Sequence, residues 1–211
     1  MGKITAELAI KAGAQVILSD FSVDQLNETA AKIGATPVAA DVSKEQDIIN
    51  LASAAVGKFD RIDVWINNAG IWMPHTPAEE MDLNKVRKMF DVNIFGTIYG
   101  SISAIKQMKH QGSGVIVNII SASALEGRPL SSGYCASKFA VSGFTKSIRE
   151  ELRQSGIKVI GIYPDKMKTG LFNENKPADY DSYLSPEYVA NRIVVNLQNK
   201  VQMEELVVKS A

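Results

Sequence analysis

An α/β fold built around a parallel sheet is the class that the sequence predicts, and two observations predict it. Short apolar runs alternate with longer helix-like stretches along the whole 211-residue chain, which is the order that repeated βαβ units produce. The apolar runs lack a strict every-second-residue pattern, as is typical of strands covered by helices on both faces. Together these patterns predict a doubly wound parallel sheet of the Rossmann type, with helices on both faces in a three-layer sandwich.

The individual elements follow in chain order from the same patterns. The apolar runs predict strands at residues 15–19, 36–40, 62–66, 114–120, 157–163 and 205–208. The stretches between them predict helices at 23–33, 44–58, 82–110, 131–154 and 186–199. Residues 173–183 form a loose polar segment, and we expect a loop there rather than a domain linker. The whole chain, 1–211, is therefore expected to be one domain with a substantial core.

Composition excludes several classes of function. Apolar residues make up 45% of the chain, charged residues 22%, and the formal net charge is zero. No basic stripe is present, so we expect no nucleic-acid partner. The apolar runs are shorter than the ~20 residues that a membrane helix needs. The single cysteine, Cys135, allows no internal disulfide and fits a reducing cytoplasm, and the isolated His75 and His110 predict no metal site.

Tyr134 and Lys138 are the most informative pair in the chain. They are four residues apart in a predicted helix, so both side chains project from one helical face. A free phenol ionises near pH ~10, and a nearby ammonium favours the phenolate and lowers that pKa. Such a phenol can exchange a proton with an alcohol or a carbonyl. Ser121 follows the predicted strand 114–120 and would place a hydroxyl at that strand's carboxyl end. A Tyr-x-x-x-Lys pair alone also arises by chance, so its surroundings decide.

Further motifs surround this pair in a characteristic order. An Asn-Asn-Ala-Gly sequence at 67–70 follows a predicted strand, Asn93 lies early in a long predicted helix, and a turn at 164–169 follows the strand 157–163. With Ser121 and the Tyr-x-x-x-Lys pair, their order and spacing resemble the short-chain dehydrogenase/reductase family of nicotinamide-dependent oxidoreductases. The resemblance extends over residues 2–208.

The resemblance implies hydride transfer between a nicotinamide and a secondary alcohol or ketone, with orientation and proton transfer supplied by the protein. Tyr134 would be the general acid/base, and Ser121 would hydrogen-bond the substrate oxygen. Lys138 would lower the pKa of Tyr134 and bind the nicotinamide ribose. Asn93 would hold a water in a proton relay. The alternatives are that Asn93 only marks a helix kink and that Ser121 only caps a strand end.

The cofactor turn of the family is incomplete in this sequence. Gly2 matches the last glycine of the family's Thr-Gly-x-x-x-Gly-x-Gly turn, whose backbone N–H groups approach the pyrophosphate. The preceding strand and the first two glycines have no counterpart. Because that strand lies mid-sheet in the family, we expect its neighbours to carry unpaired backbone groups. We therefore expect the sequence to start inside a longer protein, the alternative being a truncated and inactive product.

Asp20 predicts which cofactor binds. A carboxylate at this strand end can accept hydrogen bonds from the ribose hydroxyls and would repel a 2′-phosphate. The next residues, Phe21 and Ser22, offer no arginine for that phosphate. We therefore expect NAD, with NADP the less favoured cofactor. The alternative is that Asp20 only caps the following helix.

The remaining cofactor contacts are implied by matching positions in the family. Those positions are Asp41 and Val42 at the adenine, Asn68, Ala69 and Gly70 beside the ribose, and Pro164, Met167 and Thr169 with Tyr134 and Lys138 at the nicotinamide. For the asparagines at 67 and 68, holding the sheet together is an equally open role. Asp165 departs from the family, which has a glycine there, and glycine allows a closer backbone approach to a ligand.

The substrate region and the outer helix faces carry two further predictions. Apolar side chains at Trp72, Met73, Leu125 and Leu130, with segment 165–185, predict a small neutral alcohol or ketone as substrate. The predicted helices 82–110 and 131–154 carry apolar residues on more than one face: Phe95, Ile98, Ile102, Phe139, Phe144 and Ile148. The family commonly forms dimers and tetramers, so we expect a homodimer or homotetramer.

Two other functions stay open on the sequence. One is a non-catalytic NAD-binding protein, or an inactive truncated member, on the same fold. The retention of Ser121, Tyr134, Lys138 and Asn93 argues against it. The other is an epimerase or dehydratase, whose substrate regions are usually longer than the one here. The fold alone does not decide between these functions.

Overall fold

The computed structural model describes residues 1–172 and 179–209, and its elements follow the predicted order. The strands are β1 (Ile17–Asp20), β2 (Thr36–Ala39), β3 (Val64–Asn67), β4 (Gly114–Ile119), β5 (Ile157–Pro164) and β6 (Glu205–Val208). The helices are α1 (Gly2–Lys11), α2 (Val23–Ile33), α3 (Glu45–Phe59), α4 (Leu83–Phe90), α5 (Gly96–Gln111), α6 (Ser132–Leu152) and α7 (Pro186–Gln198). All strand pairs are parallel, so the doubly wound α/β class is confirmed.

The strands form two sheets. β1 pairs with β2, and the second sheet has the order β3-β4-β5-β6. Within residues 1–172 and 179–209, no strand pairing joins β1 to β3, so each has one edge without a strand partner. The sequence predicts unpaired backbone groups on the two strands that would flank the family's glycine-turn strand, and the assignment of β1 and β3 to these positions stays a prediction.

The main core covers both faces of the four-stranded sheet. On one face, alternate residues of β4 and β5, such as Val117 and Ile160, pack with Ile193 of α7. On the other face, Ile116 and Val159 pack against α5 and α6. Because neighbouring residues of a strand point to opposite faces, continuous apolar runs bury both sides. This is the pattern from which the sequence predicts a covered parallel sheet.

The predicted helix 82–110 is confirmed as one helical run over residues 83–111, but it contains a π-helical turn that the sequence did not predict. α4 ends at Phe90 and α5 begins at Gly96, and a π-helical turn, Asp91–Phe95, joins them. A π turn holds one more residue than an α turn and is often found at functional sites. Gly96 permits the start of α5 to pack tightly against Val42, since a Cβ at position 96 would lie 2.9 Å from Cγ2 of Val42.

A buried polar ladder fixes the strands and helix that carry the site. Asn67 and Asn118 are register partners in β3 and β4, and the Asn67 amide donates to the Asn118 side-chain oxygen at 2.8 Å. The Asn118 amide in turn donates to Oγ1 of Thr145 on α6 at 2.9 Å. Asn67 therefore holds the sheet together, which is one of the two roles that the sequence left open for it.

Candidate active site

The carboxyl ends of β3, β4 and β5 meet at one edge of the four-stranded sheet, and α6 crosses below that edge. Tyr134 and Lys138 lie on consecutive turns of α6, and the Lys138 Nζ is 5.8 Å from the centroid of the Tyr134 ring. Lys138 is only 6% exposed. Its ammonium donates to the carbonyl oxygen of Ile119, the last residue of β4, at 3.2 Å. The strand end thus fixes the lysine beside the phenol.

Ser121 completes the group from the segment that follows β4. Its hydroxyl lies close enough to the Tyr134 phenol to lower the pKa of that phenol, and its Oγ accepts the backbone N–H of Ser123 at 3.1 Å. That second bond caps the short 3-10 turn Ala122–Ala124. The capping role and the contact with the phenol therefore coexist, and a substrate oxygen could be bound by both hydroxyls.

Burial, not the lysine charge, dominates the protonation of this pair. Burial raises the pKa of Tyr134 to about 12, while the Ser121 hydroxyl and the charge of Arg128 act in the opposite direction. Burial also lowers the pKa of Lys138 to about 8. Desolvation of the phenolate thus outweighs the two lowering effects, and the net pKa of Tyr134 lies above that of a free phenol. That Lys138 lowers the pKa of Tyr134 stays a prediction. At neutral pH both groups hold their protons.

Asn93 lies in the π-helical turn and is 1% exposed. Its side-chain oxygen accepts the backbone N–H of Ile71 at 2.8 Å, and its amide donates to the Ile71 carbonyl at 2.9 Å and to Oγ of Ser137 at 3.1 Å. The side chain thus ties the segment after β3 to α6. Asn93 thus lies where the helix departs from α geometry, as the kink alternative expects. The role of Asn93 in a proton relay stays a prediction.

Two glycines allow close packing beside these groups. A Cβ on Gly70 would lie 3.3 Å from Oδ1 of Asn93 and 3.6 Å from Nζ of Lys138. A Cβ on Gly2 would lie 2.6 Å from the side-chain amide nitrogen of Asn68. Any residue with a side chain at position 2 would therefore displace that amide. Gly2 at the start of α1 is therefore packed directly against the segment after β3.

The other end of the predicted cofactor site lies beside the two-stranded sheet. Asp20 is exposed at the end of β1, and its Oδ1 accepts the backbone N–H of Ser22 at 2.9 Å. Asp41 accepts from the Ser43 hydroxyl at 2.7 Å, and this bond is the main reason that the pKa of Asp41 is lowered. Both carboxylates thus make hydrogen bonds within the turns that lead into α2 and α3, although neither caps the first turn of its helix. Both also line the cleft described below.

One cleft connects all of the predicted cofactor positions. Its volume is about 2060 Å³, and its lining includes Gly2, Asp20, Asp41, Val42, Asn68, Ala69, Gly70, Pro164, Met167 and Thr169 together with Ser121, Tyr134 and Lys138. Typical ligand pockets hold ~300–1,000 Å³, so a dinucleotide and a substrate fit together. The cleft also extends between β1 and β3, where Ile17 and Ile66 line it. The residues present therefore fit a nicotinamide dinucleotide.

The predicted substrate residues are only partly brought together. Trp72 and Met73 line the cleft. Leu130 lines a small pocket beside Tyr134, and Leu125 is exposed. Of segment 165–185, residues 173–178 lie outside the described part of the chain.

Arg128 is the residue of this site that the sequence did not predict. It lies between the 3-10 turn after β4 and the start of α6, and its Nη2 is 3.2 Å from Oδ1 of Asp165 at the end of β5. Both side chains line the cleft that contains Tyr134. Local sequence motifs give no signal for this pair, because its two members are 37 positions apart and belong to no shared pattern.

Two absences hold for the residues that the structure describes. No helix there is both long and apolar enough to span a bilayer. No group of three or more histidine, cysteine or acidic side chains among those residues could hold a metal ion.

Comparison with known proteins places these features among related chains. The family model described as short chain dehydrogenase matches residues 1–179. An uncharacterized oxidoreductase of Bacillus subtilis, YxnA, is 33% identical, with 92% of this chain and 58% of that protein covered. This chain thus spans less than two thirds of that relative. A 3-alpha-(or 20-beta)-hydroxysteroid dehydrogenase of Mycobacterium tuberculosis is 36% identical over 80% of this chain and 65% of its own.

A solved structure shows the same fold. The 3-ketoacyl-(acyl-carrier-protein) reductase of Brucella melitensis, complexed with NADH, superimposes with a TM-score of 0.91 at 28% identity. The match covers 99% of this chain and 91% of that one.

Proposed function

Since the chain belongs to the short-chain dehydrogenase/reductase family, we propose that it transfers a hydride between NAD(H) and a neutral secondary alcohol or ketone, with Tyr134 as the general acid/base. One observation carries the proposal: the Tyr134 phenol lies beside the Ser121 hydroxyl and the buried Lys138 ammonium, and all three line one cleft. A hydroxyl pair of this kind can bind and protonate a carbonyl oxygen.

The protonation states favour ketone reduction. NAD(H), when bound, would supply or accept the hydride at its nicotinamide ring. Because burial raises the pKa of Tyr134 to about 12, the phenol holds its proton at neutral pH and can give it to a substrate oxygen. Ser121 would hold that oxygen in place. Lys138, with a pKa lowered to about 8, stays charged at pH 7 and would bind ribose hydroxyls of the cofactor. Asn93 would complete the proton relay.

NAD is the cofactor that the nucleotide end of the cleft favours. The exposed carboxylate of Asp20 would accept hydrogen bonds from ribose hydroxyls and repel a 2′-phosphate. The NADH bound by the Brucella reductase is consistent with this choice. The remaining contacts would come from Gly2, the Asp41–Val42 pair, the segment 68–70, and Pro164, Met167 and Thr169.

Assembly and location extend the proposal. Phe95, Ile102 and Phe139 are large apolar residues that are each more than 40% exposed on α5, α6 and the π-helical turn between α4 and α5. Covering them by a second copy would give a homodimer or homotetramer. The single cysteine, Cys135, is buried and free, which fits a reducing cytoplasm.

A non-catalytic or inactive member of the same fold is the second candidate. The split between β1 and β3 favours it, because the cleft continues between these strands beside Gly2. A pyrophosphate held there would have fewer fixed backbone groups around it.

Tyr134→Phe tests the proposal. We expect turnover to fall by at least ~100-fold, because general acid–base catalysis contributes about that much or more. Binding of NADH should be retained. It is measured as energy transfer from Trp65 and Trp72 to the bound NADH. Tyr188→Phe, which changes an exposed tyrosine on α7, is the matched control and should leave turnover unchanged.

Residual activity above a few per cent in Tyr134→Phe would contradict the assignment of the general acid/base. Failure of the folded wild-type protein to bind either NADH or NADPH would instead favour the non-catalytic candidate.

A further inference from the structure

Arg128 and Asp165 form an ion pair in the cleft that contains Tyr134. Arg128 precedes α6, and Asp165 follows β5, so the pair bridges two loops at the carboxyl edge of the sheet. The Nη2–Oδ1 distance is 3.2 Å, and the side chains are 27% and 30% exposed. The backbone N–H of Asp165 donates to the Val208 carbonyl at 2.8 Å, which anchors the carboxylate to the end of β6. A pair this well shielded is screened less by solvent than a surface pair.

The pair leaves little net charge where a substrate would enter. Arginine presents a planar fork of donors that matches a carboxylate, and Asp165 occupies part of that fork. The only other carboxylate within 4.0 Å of Arg128 among residues 1–172 and 179–209 belongs to Glu126, which is 73% exposed. Asp165 is therefore the main counter-ion of Arg128.

Arg128 is close enough to the reacting group for its charge to matter. Its positive charge lowers the pKa of Tyr134, so the field of the guanidinium reaches the phenol. Both members of the pair line the same cleft as Tyr134 and Ser121. A substrate whose oxygen binds to Tyr134 thus lies in the cleft that this pair lines and within the field of Arg128.

We propose that the Arg128–Asp165 pair determines the charge selectivity of the substrate site. Asp165 neutralises Arg128 and makes the site select neutral ketones and alcohols over those that carry a carboxylate. Removal of the Asp165 charge exposes Arg128 as an anchor for an anionic group. This inference rests on the proposed function for the location of the substrate.

Two ketones that differ by one charge provide the test: 4-oxocyclohexanecarboxylate and its methyl ester. Their dissociation constants are measured by quenching of Trp72, which lines the cleft, and their kcat/KM values are measured with NADH. The wild type should prefer the ester. Asp165→Asn should shift the preference toward the carboxylate by about tenfold or more, the size expected for a hydrogen bond to a charged group.

Two variants provide the controls. Arg128→Gln combined with Asp165→Asn should lose the shift, because the exposed cation is gone. Glu126→Gln removes a carboxylate from the same arginine at 4.0 Å and should change the preference less than about threefold, as expected for an exposed pair.

The outcomes separate this inference from the proposed function. An unchanged preference in Asp165→Asn, or a shift that persists in the double variant, overturns the inference while turnover of the ester leaves the dehydrogenase proposal standing. A binding preference that switches without turnover of either ketone supports the inference and contradicts the dehydrogenase proposal. If neither ketone binds to any variant, the pair does not face a substrate and the inference fails.

Discussion

The two sheets of this protein differ in how deeply their strands are buried and in which part of the site they carry. β4 and β5 are covered on both faces, and Ile116, Val117 and Ile160 are each at most 1% exposed. In β1 and β2 no residue is fully buried. The Oγ of Ser19 in β1 is buried without a hydrogen-bond partner among the described residues. The four-stranded sheet is therefore the better packed part of the molecule.

The two sheets also carry different groups of the predicted site. Ser121, Tyr134 and Lys138 are held by the four-stranded sheet and α6, whereas Asp20 and Asp41 follow the strands of the smaller sheet. Local opening is easiest where apolar contacts are few and backbone groups are exposed. We infer that the proton-transfer groups keep their geometry when the nucleotide end opens. Three experiments can break or sharpen this comparison.

The largest expected effect is a difference between two identical substitutions. Ile160→Ala in β5 removes a fully buried side chain and should lower the free energy of unfolding by about 2–5 kcal/mol. Ile17→Ala in β1 removes a half-buried one and should lower it by only ~1 kcal/mol. Urea unfolding measures both. Equal losses would show that the two sheets are equally well packed.

Lys138→Met tests what the buried ammonium does to the well-packed sheet. In the fold the pKa of Lys138 is about 8, against ~10.4 in an unfolded chain, a difference equivalent to roughly 3 kcal/mol. The native state therefore disfavours the charged form, and the variant should be more stable at pH 7. Loss of the bond to Ile119 offsets part of the gain, which leaves ~1–3 kcal/mol. Turnover should be lost.

The pH dependence gives the sign of this effect. Between pH ~8 and ~10.4 the unfolded wild type binds a proton that the native state has released, so wild-type stability rises with pH relative to the variant and the gap closes. Urea unfolding of the wild type and of Lys138→Met from pH 6 to 10 measures this stability gap. Lys158→Met, which changes an exposed lysine, is the control. A gap that stays constant with pH would contradict the burial of a charged Lys138.

The smallest expected effect concerns the nucleotide end. Asp20→Asn keeps an acceptor for the Ser22 N–H but removes the charge that would repel a 2′-phosphate. The ratio of NADPH to NADH affinity should rise roughly fivefold, since two charges ~4 Å apart in water interact by ~1 kcal/mol. Asp24→Asn on α2, the helix that follows β1, changes an exposed acid outside the cleft and should leave the ratio unchanged. A similar ratio in both variants would remove Asp20 from the cofactor site.

The sequence predicts the parts of this site that depend on local patterns. Helical spacing brings Tyr134 and Lys138 together, and the end of an apolar run places Ser121 beside them. The order of strands and helices follows in the same way from hydrophobic runs, and the family resemblance is confirmed by a match over residues 1–179.

Features that depend on packing were not predictable. The pKa of Tyr134 is raised because burial, which no local motif encodes, outweighs the lowering effects of Ser121 and Arg128. The ion pair of Arg128 and Asp165 joins two loops with no shared pattern. The π-helical turn interrupts a stretch whose helical pattern continues on both sides, so periodicity alone gives one helix.

That π-helical turn makes the gene unusually sensitive to one kind of change. Deleting a single codon within residues 91–95 would convert the turn to ordinary α geometry with little rotation of α4 relative to α5, because a π turn holds one more residue than an α turn. The deletion would instead remove or shift Asn93 itself, which lies in the middle of the turn. Asn93 could then no longer bind both the Ile71 backbone and Ser137. In-frame deletions that exposed loops tolerate would therefore be eliminated here, and homologous sequences should differ in these five positions by substitution and never by length.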